Sequence, residues 1–461
     1  MENTLNNLES KHLTFKLGEE QREALLSVFS FITNEDKFFT LCGSAGTGKS
    51  TIALLIIEFL KIKKIPYQLV APTHKSKRVL RDMTGESVIT IHQLLSLKPT
   101  IDVLDLDLND LRFTSSTLSD SVPANGVLII DECSMINDEL YDFIVESCND
   151  KKCKILFLGD IRQIEPVKQK SLAKPFKIDN RFELSKIYRQ SNDNPLRDLL
   201  AELRKKPKAE FNSFESDKGS LIVYDDWHPF IKRNIDLFRE AIITQNPEYV
   251  KILAYTNKRV EAFNRVIRDS LFDHPKEFEF GEFLTGYDNC EFNPTGMTIT
   301  NSNDYQIQSA YETHTNVEGL ILNGWLLRLY DFETESINDV FVLSKNNDKD
   351  LLEKLAFLIE DIRTEAIRCK DIKAKRMLWK RYYKITGSFI TSFDLKYDDR
   401  VIKKKSIDYG YALSVHKSQG STYDTVMVDM GNIMKCLNKI ELRQLQYVAM
   451  SRTRKNILLL N

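Results

Sequence analysis

The chain is almost without net charge: 65 Lys and Arg stand against 66 Asp and Glu, a formal −1 at pH 7. That excludes a global basic field, so any nucleic-acid surface has to be a local groove. Cysteine is sparse, seven in 461 residues, odd in number and with no C-x-x-C pair. Reduced thiols in a cytosolic setting are expected, and a zinc site is disfavoured. The unbroken apolar runs fall far short of a membrane span, and no signal-peptide pattern opens the chain. Glycine is scarce at 17 residues while Lys, Asn and Ile abound, a bias that points to an AT-rich genome and to no chemistry. What remains is the composition of a soluble globular protein, 42% hydrophobic and 28% charged, long enough for roughly two to four domains.

One stretch dominates. GSAGTGKST, Gly43 to Thr51, matches G-x-x-x-x-G-K-[ST] through Gly43, Gly48, Lys49 and Ser50. Glycines let the backbone curl so that successive N–H groups face phosphate oxygens, and the following helix adds its positive end. Lys49 is placed to reach the β- and γ-phosphates and Ser50 to hold Mg²⁺. Ala45, Gly46, Thr47 and Thr51 complete the expected ATP seat. KFFTLC before the loop reads as a buried strand and TIALLIIEFLKIKK after it as a helix, the context the motif requires.

Two further strands end in functional residues. IIDECSM delivers Asp131 and Glu132. Adjacent acids on an extended chain point to opposite sides, so Asp131 suits the Mg²⁺ shell and Glu132 the general base for an attacking water. GDIRQIEPV adds Asp160 and Gln163, whose amide is able to bond both a γ-phosphate oxygen and that water. The alternation of apolar strands with helices implies an α/β fold with parallel sheets covered on both faces. A polar, Asp- and Ser-rich stretch interrupts it at 98–125, and short β-type segments followed by a strongly helical region interrupt it again at 281–405.

The blocks GSAGTGKS, APTHKSKR, IIDECSM, GDIRQIEPV, YRQ, AYTNKRV, SVHKSQGSTYD and YVAMSRTR occur in the order seen in superfamily 1 helicases. The pattern resembles the 5′-to-3′ branch that contains RecD and Dda. The resemblance implies two RecA-like domains, at 1–97 with 126–181 and at 182–280 with 406–461. It also implies a β-hairpin pin at 98–125 tipped by Phe113, and an SH3-like barrel with a helical tower at 281–405. It implies further that Gln21 reads adenine, that Arg189 and Arg452 act on the γ-phosphate as catalytic residues beside Lys49, Glu132 and Gln163, and that Gly420 borders the nucleotide. Arg454, two residues beyond Arg452, has the alternative of a structural ion pair. ATP and Mg²⁺ are the implied cofactors.

For DNA the candidates lie at sheet ends. Pro72, Thr73, His74 and Lys75 offer a hydroxyl, an imidazole and an ammonium before a helix N-terminus, a seat for phosphate. Thr90 with His92, and Asn257, repeat the form, and His416, Lys417, Ser418 and Gln419 supply donors before Gly420. The basic tower residues Lys373, Lys375, Arg376, Lys380, Arg381 and Lys384 either touch a DNA strand or form a solvated face. The expected activity is ATP-dependent 5′-to-3′ DNA unwinding. RNA unwinding, protein stripping by a translocase, and a nucleotide-gated binding module are the alternatives. Single-stranded DNA and duplex junctions are the expected partners, with single-strand-binding or replisome proteins besides. A monomer is expected, away from membranes, in the cytoplasm of a bacterium or of a phage host.

Overall fold

FFTLCG, YQLVA and KILFLG carry apolar side chains on both faces, so each is stable as a strand only within a sheet covered on both sides. A computed structural model shows that arrangement. It describes residues 1–44, 46–94, 97–99, 113–115, 121–164, 172–186 and 195–461, with the backbone alone for 74, 75, 92, 97–99 and 113–115.

Six strands run parallel in the order Val88–Thr90, Tyr67–Ala71, Val127–Ile130, Lys154–Gly159, Phe38–Gly43 and Arg181–Leu184. Alternate residues feed two cores, as the two-residue period of a strand dictates. Leu41, Leu69, Ile129 and Leu156 pack with the helices Glu19–Thr33 and Lys49–Lys63. On the other face Val70, Leu128, Ile130 and Phe157 pack with the helix Asp138–Asp150.

A second parallel sheet orders Ala412–Ser414, Val250–Ala254, Tyr423–Asp429, Thr453–Leu460 and Ser220–Tyr224. Its residues alternate in the same way. Leu253, Val426 and Ile457 enter one core and Ile252, Met427 and Leu458 the other. These are the two α/β domains the sequence predicts.

Two interruptions accompany them. Leu97–Pro99 pairs antiparallel with Phe113–Ser115. Between 281 and 411 lies a six-stranded sheet, antiparallel throughout except where Ser336–Leu343 meets Ile390–Thr391. The chain enters this sheet through Phe283–Gly286 and leaves through Ile407–Tyr409, and those two strands pair with each other. Helices Lys349–Arg368 and Ile372–Thr386 project from it, the first burying Leu355, Ile359, Ile362 and Ala366. Among the described residues no helix is long and apolar enough to cross a membrane.

Two expected boundaries move. Arg181–Leu184 pairs with the P-loop strand Phe38–Gly43, so the first domain runs past 182. Ile407–Tyr409 pairs with Phe283–Gly286, so the second domain resumes after 406, at Ala412–Ser414. Both errors have one cause: sequence pattern marks a strand but does not name its neighbour.

Candidate active site between the two parallel sheets

The P-loop joins Phe38–Gly43 to the helix Lys49–Lys63. Gly48 has φ +87°, and a Cβ there would lie 2.3 Å from Gln21 Nε2. The positive φ favours glycine, and a Cβ would also push the Gln21 amide off its place. A Cβ on Gly43 would meet the Thr47 hydroxyl at 2.6 Å, a hydroxyl that donates to the Ser44 carbonyl at 2.9 Å. Lys49 Nζ donates to the carbonyls of Gly43 (2.6 Å) and Ser44 (3.2 Å), which keeps the ammonium at the mouth of the loop. Ala45 lies outside the described residues.

Gln21 is buried against this loop. Its Nε2 donates to the Thr47 carbonyl at 3.0 Å and its Oε1 accepts from the Gly18 N–H at 3.0 Å, closing the N-terminus of the helix Glu19–Thr33. Its amide thus braces the P-loop while its side chain lines the cavity.

The acids stand differently from the expected extended pair. Glu132 has φ +49°, in the left-handed region, and caps the 3₁₀ turn Cys133–Met135. A non-glycine residue there is strained by about 1–3 kcal/mol, a pattern that gathers at functional sites. The twist leaves Asp131 and Glu132 both lining the cavity that Lys49 and Ser50 line. The Asp131 carboxyl is pushed up to about 6, by burial first and by the neighbouring Glu132 second, with Lys49 opposing. Among the described residues, Glu132 Oε2 and Gln163 Oε1 are buried with no hydrogen-bond partner. Both residues line the cavity, and buried acceptors without a donor suit a site that a magnesium nucleotide and its attacking water would complete.

The second domain supplies the opposite wall. Gly420, at φ +75°, and Arg452 line the same cavity, whose volume is about 460 Å³. Arg452 is buried at the end of the helix Lys439–Ser451. It donates to the Val448 carbonyl (3.2 Å), the Ser421 carbonyl (3.3 Å) and the Ser451 hydroxyl (3.3 Å). Arg454 takes the ion-pair alternative, with Glu248 at 2.6 Å and Asp424 at 3.4 Å. Arg189 lies outside the described residues. Phe15, Lys16, Val79, Met83 and Thr422 also line the cavity and were missed from sequence. Only the run of Thr422 on from Gly420 gave a hint.

The DNA candidates divide. Thr73 caps the helix His74–Thr84, its Oγ1 accepting from Ser76 N at 3.2 Å, with Pro72 half-buried before it. Thr90 is buried and caps its own helix, accepting from Gln93 N at 3.2 Å. Asn257 is exposed at the first turn of Asn257–Leu271. His416, half-buried, lies 3.8 Å from Glu441. Ser418 turns inward to the Val415 carbonyl (2.7 Å), and Gln419 Nε2 crosses to the first domain at the Ile164 carbonyl (2.9 Å). Lys417 bonds Asn301 Oδ1 (2.6 Å) and lies 4.1 Å from the Tyr287 ring centroid, against the inserted sheet. The side chains of His74, Lys75, His92 and Phe113 lie outside the described residues.

A P-loop, an acid pair on the next strand but one and an arginine from a second parallel sheet, all on one cavity, define a two-domain P-loop nucleoside triphosphatase. Family models described as an AAA domain and as a UvrD-like helicase C-terminal domain match residues 16–226 and 409–460. The chain is 26% identical to the ATP-dependent DNA helicase dda of Enterobacteria phage T4, over 96% of this chain and 98% of that one. It is 22% identical to the RecBCD enzyme subunit RecD of Buchnera aphidicola, over 99% of this chain and 74% of that one. The solved Pif1 helicase from Bacteroides, in complex with ADP-AlF3 and ssDNA, shares the fold with a TM-score of 0.51 at 16% identity, over 96% of this chain and 92% of that one. Over nearly its whole length the chain resembles the helicases of superfamily 1, in the branch that holds RecD and Dda.

Proposed function

We propose that this protein is an ATP-dependent 5′-to-3′ DNA helicase. The observation that carries the reading is the single cavity walled by Lys49, Asp131, Glu132 and Gln163 from one domain and by Gly420 and Arg452 from the other. The named activity of the T4 relative, which aligns over nearly the whole chain, supports it.

In this reading the P-loop amides and Lys49 bind the triphosphate, and Gln21 holds the loop in shape. Ser50 and Asp131 would hold Mg²⁺, which supplies charge neutralisation at the β- and γ-oxygens; one hydroxyl and one carboxylate leave the other positions to phosphate and water. Glu132 takes the proton of the attacking water, and Gln163 orients that water against the γ-phosphate. Arg452 stabilises the negative charge that spreads over the transferred group. Because the halves sit on different domains, nucleotide draws them together and product release lets them part.

Single-stranded DNA is held by groups at the sheet ends, among them Thr73, Asn257, His416 and Lys417. The paired segments Leu97–Pro99 and Phe113–Ser115 belong to the insertion that would part the duplex. Alternating grip by the two domains moves the strand.

The test is unwinding of two duplexes, one with a 5′ and one with a 3′ single-stranded tail, with ATP and Mg²⁺. Opening of the 5′-tailed duplex alone is expected. Opening of the 3′-tailed one alone would reverse the polarity, and failure with both, under ATP hydrolysis still stimulated by single strands, would leave a translocase.

A further inference from the structure

Beside the nucleotide cavity, one hydroxyl of the second domain reaches a carboxylate of the first. Tyr447 donates to Asp160 Oδ2 at 2.9 Å. Both residues are 1% exposed. Asp160 shapes the turn that presents Gln163: its Oδ1 accepts from the Arg162 N–H at 2.9 Å, and its carbonyl accepts from the Gln163 N–H at 3.1 Å. Tyr447 stands in the helix Lys439–Ser451, beside Val448, whose carbonyl accepts from Arg452 Nε.

One bond therefore ties the turn of Gln163 to the helix end that carries Arg452. The Tyr447 ring is packed on its own side, with the Arg204 guanidinium 5.7 Å from its centroid. A phenylalanine would fill the same space and remove only the hydroxyl, which bonds Asp160 across the domains and has the Arg204 guanidinium as a second neighbour on its own side. Burial pushes the phenol far above its ordinary range, with the nearby Asp160 charge adding to the rise, so the hydroxyl keeps its proton and remains a donor.

We propose that Tyr447 is a positioning residue, whose hydroxyl registers Asp160 and so aligns Gln163 of the first domain with Arg452 of the second during ATP hydrolysis. The proposal rests on the ATPase reading of the cavity. It requires neither residue to touch the nucleotide.

The test is steady-state ATP hydrolysis by the full chain, with single-stranded DNA varied, for Tyr447→Phe, Asp160→Asn, Asp160→Ala and the pair Tyr447→Phe with Asp160→Ala. Tyr447→Phe is expected to lower kcat at saturating DNA about tenfold while KM for ATP stays within about twofold. Asp160→Asn keeps its oxygen for the Arg162 N–H and turns its Nδ2 donor to the Tyr447 hydroxyl, which can accept, so the bond between domains persists with its direction reversed and kcat is expected to stay within about threefold of wild type. The double variant is expected to be no slower than Asp160→Ala alone, because one bond is lost only once. Wild-type kcat in Tyr447→Phe, a loss carried by KM, or losses that multiply in the double variant would overturn the proposal. Absence of DNA stimulation in the wild type would instead count against the helicase reading, and Tyr447 would then be judged on the unstimulated kcat.

Discussion

Across the cavity the carboxyl ends of the first parallel sheet meet the amino ends of Tyr423–Asp429 and Thr453–Leu460 in the second, and in the proposed reaction the two sides carry opposite halves of one chemistry. Among the described residues, the first leaves acceptors without donors, Glu132 Oε2 and Gln163 Oε1. The second holds a donor on neutral partners, the Arg452 guanidinium at 3.2–3.3 Å from two carbonyls and a hydroxyl. An unmet buried acceptor costs about 1–3 kcal/mol, and long bonds to neutral groups leave the cation's charge uncompensated. Neither sheet is at rest by itself. In the proposed reaction a phosphate with its water, set between them, would satisfy the acceptors of one side and the cation of the other, and that separation would make hydrolysis depend on domain closure.

The comparison breaks most visibly at Arg452. Arg452→Ala is expected to lower kcat about 10³–10⁵-fold, the range for an arginine acting on a transferred phosphoryl group. A variant that hydrolyses ATP at the wild-type rate would remove the second sheet from the chemistry. On the opposite wall, Glu132→Gln is expected to lower kcat about 10²–10⁴-fold while nucleotide binding, measured by titration calorimetry, is kept. Loss of binding there would show that Glu132 serves the ground state.

The smallest effect sharpens the view of the first sheet as acceptor-rich. Burial first, and the neighbouring Glu132 second, push the Asp131 carboxyl up from 3.8 to about 6. Its folded value is raised, so the stability tied to the protonated form is whole below the unfolded value and is lost as pH rises through about 6. Asp131→Asn, always neutral, is expected to make the nucleotide-free protein more stable at pH 8 by up to about 3 kcal/mol. The difference should close toward pH 4. Urea denaturation across that range checks it, and a gap that does not change with pH would remove burial as the cause.

Much of this was legible before the structure because it is local. Lys49, Asp131, Glu132, Gln163 and Arg452 each sit in a short block whose spacing is set by one strand and one turn. What could not be read depends on distant elements. Phe15, Val79 and Met83 reach the cavity from two separate segments with no common motif. The turn of Lys417 toward Tyr287 depends on where the inserted sheet docks. The left-handed backbone of Glu132 is invisible because glutamate gives no sign of it, unlike the glycine at 48. The edge position of Arg181–Leu184 is a fact of strand order alone.

The pairing of Phe283–Gly286 with Ile407–Tyr409 has a bearing on how the fold tolerates change. Entry and exit of the inserted sheet are zipped side by side, so the chain passes into and out of the module through one closed stem, while Asp304, Asn301 and Phe332 beyond it dock on Lys251, Lys417 and Arg78. Segments away from the stem and these contacts can grow, shrink or be exchanged without altering a register in the parallel sheet that follows Arg452. The engine and its accessory are thus free to diverge at different rates, and a chimaera joined at Gly286 and Ile407 has its splice already aligned.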